Sequence, residues 1–440
     1  MNGRQSDGLN DRERIIMTQD PPETHGSPEA PQPHKRRVRY SGRNPRRFEE
    51  KYKEHNPEKY AGDVEHIIAK GRTPAGMHIP ICVKEILEIL DPRPGETGLD
   101  ATLGFGGHAQ ELLARLAPEA QADGSSLKPA AAGGKSKRRD SPRTLAASEK
   151  VRGRPSSFGP GTKANDPALK PIGAGNAPKG LGKLFALDVD PLELPRTEAR
   201  LRGLGFSEEV FIPRRMNFAG ILGLLPEAGG GFDFILADLG VSSMQLDNPA
   251  RGFTYKFDGP LDLRLNPSRG APASELLRTI SFKALTKLLA ENSDEPHAET
   301  IARAIKGSLS PIATTKQLAD AVRCALEKLP SKETDNAIKR SLQRTFMALR
   351  IGVNEELSVL DRFLEALPWC LNPGGRVAIL SFHSGEDRRV KKAFAKGGAE
   401  GIYSGVAPTC LRPSPEEQKK NSRSSSAKLR WAVRSSLPVR

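Results

Sequence analysis

The chain has 440 residues, 37% of them hydrophobic and only 5% aromatic, with 42 Gly and 36 Pro, which describes a folded core diluted by flexible segments. A formal net charge of +15 and a pI of ≈ 9.7 favour a polyanionic partner, since each Lys or Arg set against a phosphate can release a condensed counterion. Cys82, Cys324, Cys370 and Cys410 lie far apart, which excludes a C-x-x-C zinc motif and a regular disulfide framework, and no apolar run approaches the roughly 18–20 residues of a membrane helix.

The first residues carry Asp7, Asp11, Glu13 and Asp20, which suits neither a signal nor a transit peptide, so a cytoplasmic location is expected with no metal and no membrane association. Residues 1–75 read as a flexible basic arm, with Lys35, Arg36, Arg37, Arg39, Arg43, Arg46 and Arg47 clustered in a polar, Pro-containing stretch. Then Ile81, Val83, Ile86, Leu87 and Leu90 recur at helical spacing, and Asp91-Pro92 ends that helix. A strand over residues 97–100 runs into the turn Leu103-Gly104-Phe105-Gly106-Gly107-His108, and a second helix carries Leu112, Leu113 and Leu116. This opens an α/β unit.

Residues 118–183 lack apolar periodicity and hold thirteen Lys or Arg against five Asp or Glu, as expected of a disordered basic insertion. Strands follow at 184–188, 210–212 and 232–238, alternating with helical stretches, so a mainly parallel, doubly wound sheet is expected. Residues 246–350 are read as a helical subdomain for substrate recognition, with Leu276, Leu277, Leu285, Leu288 and Leu289 among its spacings. A helix over 354–370, the turn Asn372-Pro373-Gly374-Gly375 and a strand over 376–382 close the sheet. The catalytic domain would thus comprise 76–245 and 351–400, with 401–440 left as a basic C-terminal tail.

Gly104-x-Gly106-x-x-Ala109 satisfies the dinucleotide fingerprint G-x-G-x-x-G/A. The carboxylate of Asp100, ending the preceding strand, would repel a pyrophosphate yet suit the amino and sulfonium cations of S-adenosylmethionine, which favours a methyl donor over a nicotinamide. Asp188 ends the next strand, where it could accept hydrogen bonds from ribose hydroxyls or merely cap a turn. Asp238-Leu239-Gly240-Val241-Ser242-Ser243-Met244-Gln245 follows a buried strand, the place where open α/β sheets bind ligands. Residues 251–264 interleave aromatics with cations, so that Phe253 and Tyr255 could stack on a base while Arg251, Lys256 and Arg264 hold phosphates, or Phe253 and Phe257 could plug the loop into a core.

The segments His78-Ile79-Pro80, Asp100-Ala101-Thr102-Leu103-Gly104-Phe105-Gly106-Gly107-His108, the run 238–264, Phe346-Met347-Ala348-Leu349-Arg350-Ile351 with Val353-Asn354, and Ser381-Phe382-His383-Ser384 with Glu386-Asp387-Arg388 together resemble the RsmH (MraW) family. That resemblance spans roughly 77–117 and 184–430. It implies a Rossmann-like class I methyltransferase that carries a methyl group from S-adenosylmethionine to N4 of a cytidine in the decoding centre of small-subunit ribosomal RNA, free or in the assembled subunit. It further implies that Gly106, Gly107 and His108 cradle the methionine end of the donor, Asp188 its ribose and Phe218 its adenine, while Asp238 and Gln245 line the site.

Against the family pattern, the insertion and the arm are extra, Leu263 stands where Met is usual, and Asn292-Ser293-Asp294-Glu295 replaces a typical Tyr-Gly-Glu-Glu. Gly385 stands where Leu is usual, and 421–430 only approximates its counterpart. Cytosine N4 is a weak nucleophile because its lone pair is delocalised, so an acceptor aimed at its N–H would assist, and Asp238 is the candidate catalytic residue. His383 could be a base or a loop cap. Three alternatives remain in view: a nicotinamide oxidoreductase, a methyltransferase-fold RNA-binding or assembly factor without catalysis, and a DNA amine methyltransferase, the last lacking its usual Asp/Asn-Pro-Pro-Tyr signature. Monomer and homodimer both remain open.

Overall fold

One seven-stranded sheet positions everything that follows. In the structure, a computed structural model, residues 80–118, 180–329 and 334–436 are described; the chain divides into Met1–Pro45, none of it among these, and Arg46–Arg440. The arm at 1–75 and almost all of the insertion expected at 118–183 lie outside the described residues. The strands are β1 (Thr97–Asp100), β2 (Lys183–Asp188), β3 (Phe211–Arg215), β4 (Phe232–Asp238), β5 (Leu371–Ser381), β6 (Tyr403–Val406) and β7 (Lys428–Arg434). Across the sheet they run β3-β2-β1-β4-β5-β7-β6. The first five are parallel, and β7 is antiparallel to both its neighbours.

Strand side chains alternate between faces, so consecutive residues feed opposite cores. Leu184, Ala186, Phe234, Leu236, Ala378 and Leu380 pack with α1 (Val83–Leu90), α2 (Gly107–Leu116) and α3 (Glu193–Gly203). Their neighbours Phe185, Leu187, Ile235, Ala237, Val377 and Ile379 pack on the other face with α10 (Glu356–Cys370) and α11 (Ser384–Ala399). Both faces are therefore covered, which is why residues 184–187, 234–237 and 377–380 read as continuous apolar runs.

Packing is tight at the centre. A Cβ on Gly98, in β1, would stand 2.0 Å from the Phe234 ring, so Gly98→Ala must displace that ring. Overpacking of this kind costs about 1–3 kcal/mol, and a lowered thermal midpoint checks it; an unchanged midpoint would mean that the ring moves freely.

A third core belongs to the helical part. Short α4 (Ser243–Asp247) leads into the 251–264 loop, then α5 (Ala273–Thr279), α6 (Phe282–Ser293), α7 (Ala298–Lys306), α8 (Thr315–Glu327) and the twenty-residue α9 (Asp335–Asn354). Phe253, Leu261, Leu263, Leu289, Ile301, Leu318, Val322 and Leu349 are among the residues that fill it. Where α9 meets α10, Glu355 adopts a left-handed conformation with φ of 51°, so the chain turns sharply there. Leu263 is also left-handed, at φ 63°, while its carbonyl accepts a hydrogen bond from Asn354 Nδ2 at 2.8 Å.

The C-terminal segment corrects one expectation. Residues 401–440 are not simply a basic tail, and the sheet does not close at residue 382: β6 and β7 extend it, with α12 (Pro415–Lys420) between them. Leu429 and Ala432 are fully buried. Lys428 and Arg430, two residues apart and so on one face, both grip Asp387, at 2.9 and 2.7 Å. Basic composition masked a strand whose cations are partnered inside the fold.

Candidate active site

The carboxyl ends of β1, β2 and β4 converge on one cleft, as expected at the switch point of an open α/β sheet. The glycine turn forms one wall. Gly106 has φ 77°, and a Cβ there would meet the Thr197 methyl at 2.8 Å, so glycine serves both the turn and the close approach of α3. From α3, Thr197 Oγ1 donates to the Gly104 carbonyl at 2.6 Å and Arg200 Nη2 to that of Phe105 at 2.6 Å. The Arg200 guanidinium also stacks 4.4 Å from the Phe105 ring centroid.

Two adjoining cavities make up the cleft. The first is lined by Asp188, Phe218, Asp238, Gln245, Glu356 and Glu386 among others. Among the described residues lining it there are four carboxylates and no Lys, Arg or His. The second, of ≈ 440 Å3, is lined by Gly106, Gly107 and His108, by Gln343, Met347 and Arg350 of α9, and by Phe382, His383 and Arg423. Thr102, Gly104, Asp238, Gly240 and Ser242 line both, so the two spaces meet at a shared wall that includes Asp238.

Asp238 therefore stands at the junction. Its amide donates to Thr102 Oγ1 at 2.6 Å, its Oδ2 lies 3.4 Å from His108 Nδ1, and its buried Oδ1 holds no hydrogen bond among the described residues. Burial and the nearby Glu386 carboxylate push its carboxyl up to about 7. His108 Nε2 donates to the Ile81 carbonyl at 2.9 Å, which puts the proton of the neutral ring on Nε2 and leaves Nδ1 facing Asp238. Burial holds the imidazole below its ordinary value.

Asp188 accepts the amides of Gly104 at 2.9 Å and Asp190 at 2.8 Å, and burial still raises its carboxyl to about 6. Phe218 packs edge-on to Phe363, centroids 5.0 Å apart. Gln245 closes a capping box with Ser242 and donates Nε2 to Asp190 at 2.7 Å, so both ends of its amide are occupied. The sequence singled out Asp100 as the discriminating charge, but its carboxylate is buried, accepts the Thr102 amide at 3.0 Å and lines neither cavity. The carboxylates that do line the first cavity are Asp188, Asp238, Glu356 and Glu386; Glu356 is paired with Arg350 and Glu386 lies against His383, which leaves Asp188 and Asp238 to face a cationic donor.

His383 is a cap. Its Nδ1 accepts from the Gly385 amide at 3.2 Å, and Nε2 lies 3.1 Å from Glu386 Oε1. Burial works to raise Glu386, but the His383 hydrogen bond and the Phe382 amide hold it below the ordinary carboxylate range.

Of the five residues expected at RNA, the structure withdraws three. Arg251 is buried, donating Nη1 to Asp190 at 2.6 Å and Nη2 to the carbonyls of Arg264 and Leu265. Phe253 plugs the helical core. Arg264 forks onto Asp262 at 2.8 and 2.7 Å and caps the Gly270 carbonyl. Tyr255 stays half-buried and Lys256 exposed. Sequence reading missed Asp190, whose carboxylate gathers Leu192, Gln245 and Arg251, and the forked Arg350–Glu356 pair at 2.8 Å, one partner in each cavity. Asp-x-Asp after a strand was the available signal for the first. No group of three or more His, Cys, Asp or Glu poised to hold a metal occurs among the described residues.

Residues 75–132 and 177–435 match the model of the MraW methylase family. The "Ribosomal RNA small subunit methyltransferase H 1" of Agathobacter rectalis is 46% identical over 404 residues, covering 91% of this chain and 98% of that protein. The protein of the same name from Lachnoclostridium phytofermentans is 47% identical over 404 residues, covering 91% and 93%. The "Ribosomal RNA small subunit methyltransferase H 2" of Alkaliphilus metalliredigens is 46% identical over 402 residues, covering 91% and 97%.

Proposed function

The chain belongs to the MraW methylase family, and on that premise we propose that it transfers a methyl group from S-adenosylmethionine to N4 of a cytidine in the decoding centre of small-subunit ribosomal RNA. It is a methyltransferase of small-subunit ribosomal RNA that uses S-adenosylmethionine. One observation carries the reading of the cleft: among the described residues four carboxylates and no cation line the first cavity, and although Glu356 is paired with Arg350 and Glu386 lies against His383, Asp188 and Asp238 remain to suit a cationic donor and disfavour a phosphorylated cofactor. The same lining argues against a nicotinamide oxidoreductase. No helix among the described residues is long and apolar enough to cross a membrane, and the cytoplasm, where ribosomal RNA is assembled, is the proposed place of work.

When bound, S-adenosylmethionine supplies an already activated methyl, so the protein's task is positioning. Asp188 would hold the ribose hydroxyls, Phe218 the adenine, and Gly106, Gly107 and His108 the methionine end. Gln245 acts one step back, bracing Asp190. Asp238, between the cavities and with a free oxygen, would accept the N–H of the target amine.

Asp188→Asn is expected to weaken donor binding about tenfold to a hundredfold, the worth of a hydrogen bond to a charged acceptor, with methyl transfer recovering at saturating donor. Calorimetry checks it, and an unchanged Kd removes Asp188 from the ribose. For the activity itself, mass spectrometry of small-subunit rRNA nucleosides from cells with and without the protein should find N4-methylcytidine only in the former. An identical nucleoside profile overturns the proposal.

A further inference from the structure

A third cavity, of ≈ 260 Å3, opens on the helical side of the cleft. It is lined by Tyr255, Lys256 and Phe346, and by Gln343, Met347, Arg350 and Arg423. The last four also line the second cavity, so the two spaces share a wall. Gln343, Met347 and Arg350 stand four and three residues apart on α9, a spacing that puts them on one helix face. Opposite stands Arg423, whose Nη2 contacts both oxygens of Asp247 at 2.8 and 2.9 Å. A guanidinium has five N–H donors, and these contacts use one nitrogen.

The chemistry of this chamber differs from that of the donor cavity. Its floor is aromatic and thioether, with the Tyr255 and Phe346 rings 5.6 Å apart and tilted by 57°. The chamber is also lined by the cations Lys256 and Arg423 and by one carboxylate, Asp247, which is engaged by one nitrogen of Arg423. Aromatic faces flanked by cations are how proteins hold unpaired nucleotides. There is also a reason for such a site here. Extruding a base for chemistry unstacks its neighbours and exposes their faces, and an enzyme that accepts the target in one chamber gains by covering the next base in another.

We propose that the third cavity is a subsite for the nucleobase adjacent to the target cytidine in the same RNA strand, stacked on Tyr255, with Arg423 at the junction holding the intervening phosphate. The proposal rests on the rRNA methyltransferase reading above and adds a second recognised nucleotide to it. Lys256 would meet the next phosphate outward. Specificity at the target would then depend in part on whether its neighbour can leave the stack.

The test uses the full protein, small subunits lacking the methyl group, and particles reconstituted with rRNA that is abasic on one or the other side of the target. With the unaltered protein, removal of one flanking base should raise KM about tenfold or more, the scale of a lost stacking contact. Tyr255→Leu, which keeps apolar bulk, should raise KM by a similar factor on intact particles, gain no further penalty from the abasic site, and bind donor normally by calorimetry. Tyr255→Phe should recover most of the loss. A KM indifferent to both flanking bases, or a Tyr255→Leu penalty that adds to the abasic penalty, overturns the subsite while leaving the methyltransferase reading intact. Failure of the unaltered, donor-binding protein to methylate any particle overturns both.

Discussion

Asp238→Asn should lower methyl transfer at saturating donor by about a hundredfold to a thousandfold, the usual cost of removing a positioned acceptor from a buried site. The substitution keeps shape and replaces a carboxylate oxygen by an amide donor, so the fold should persist and the donor should still bind, more weakly for want of one negative charge. The unaltered protein should show the same group in its pH dependence. Burial and Glu386 raise the Asp238 carboxyl to about 7, and only the ionised form accepts a proton. Rate at limiting donor should therefore rise with pH up to about 7 and level off above. A bound sulfonium favours the ionised form, so at saturating donor the limb should move to lower pH. Single-turnover rates across the range check both statements; full turnover by Asp238→Asn, or a flat profile at limiting donor, removes Asp238 from the chemistry.

Arg251→Met should be the most destabilising substitution in the 251–264 loop. Its guanidinium is 2.6 Å from Asp190, with side chains 7% and 0% exposed, and it also ties down the carbonyls of Arg264 and Leu265. Breaking a buried pair from one side costs about 3–5 kcal/mol because the remaining charge is stranded, which lowers the melting temperature by roughly 10 °C. Adding Asp190→Asn removes the stranded charge and should return part of that loss. Donor affinity should fall with the single substitution, since Asp190 also anchors Gln245 and donates its amide to Asp188. Calorimetric melting and donor titration of the three variants measure this. An unchanged melting temperature combined with weaker, less salt-dependent RNA binding would make Arg251 a phosphate contact after all.

Much of the architecture was legible before any coordinates. The strands at Thr97–Asp100 and Phe232–Asp238 were predicted to the residue, the first because it runs straight into the glycine turn and the second because residues 234–237 are the apolar run that a fully covered parallel strand requires. The tips of β2 and β4 were legible because Asp188 and Asp238 are the first charges after apolar runs, and both line the cleft. Asp100 misled because its polarity was visible while its burial was not. Arg251 and Arg264 misled likewise, since a cation in a loop reads as exposed until its partner is found.

Periodicity and strand-end chemistry, which are local properties of a chain, were enough to determine a doubly wound sheet and an inserted helical unit, and to point to the carboxyl ends of the strands, where the structure has its cleft. Tertiary structure alone decided which charges are spent inside the fold. The Arg251–Asp190 pair joins residues 61 positions apart, and Lys428 and Arg430 reach Asp387 only because β7 enters the sheet beside β5. Such pairings follow from strand order and loop course, and a linear pattern of residue types carries no record of either.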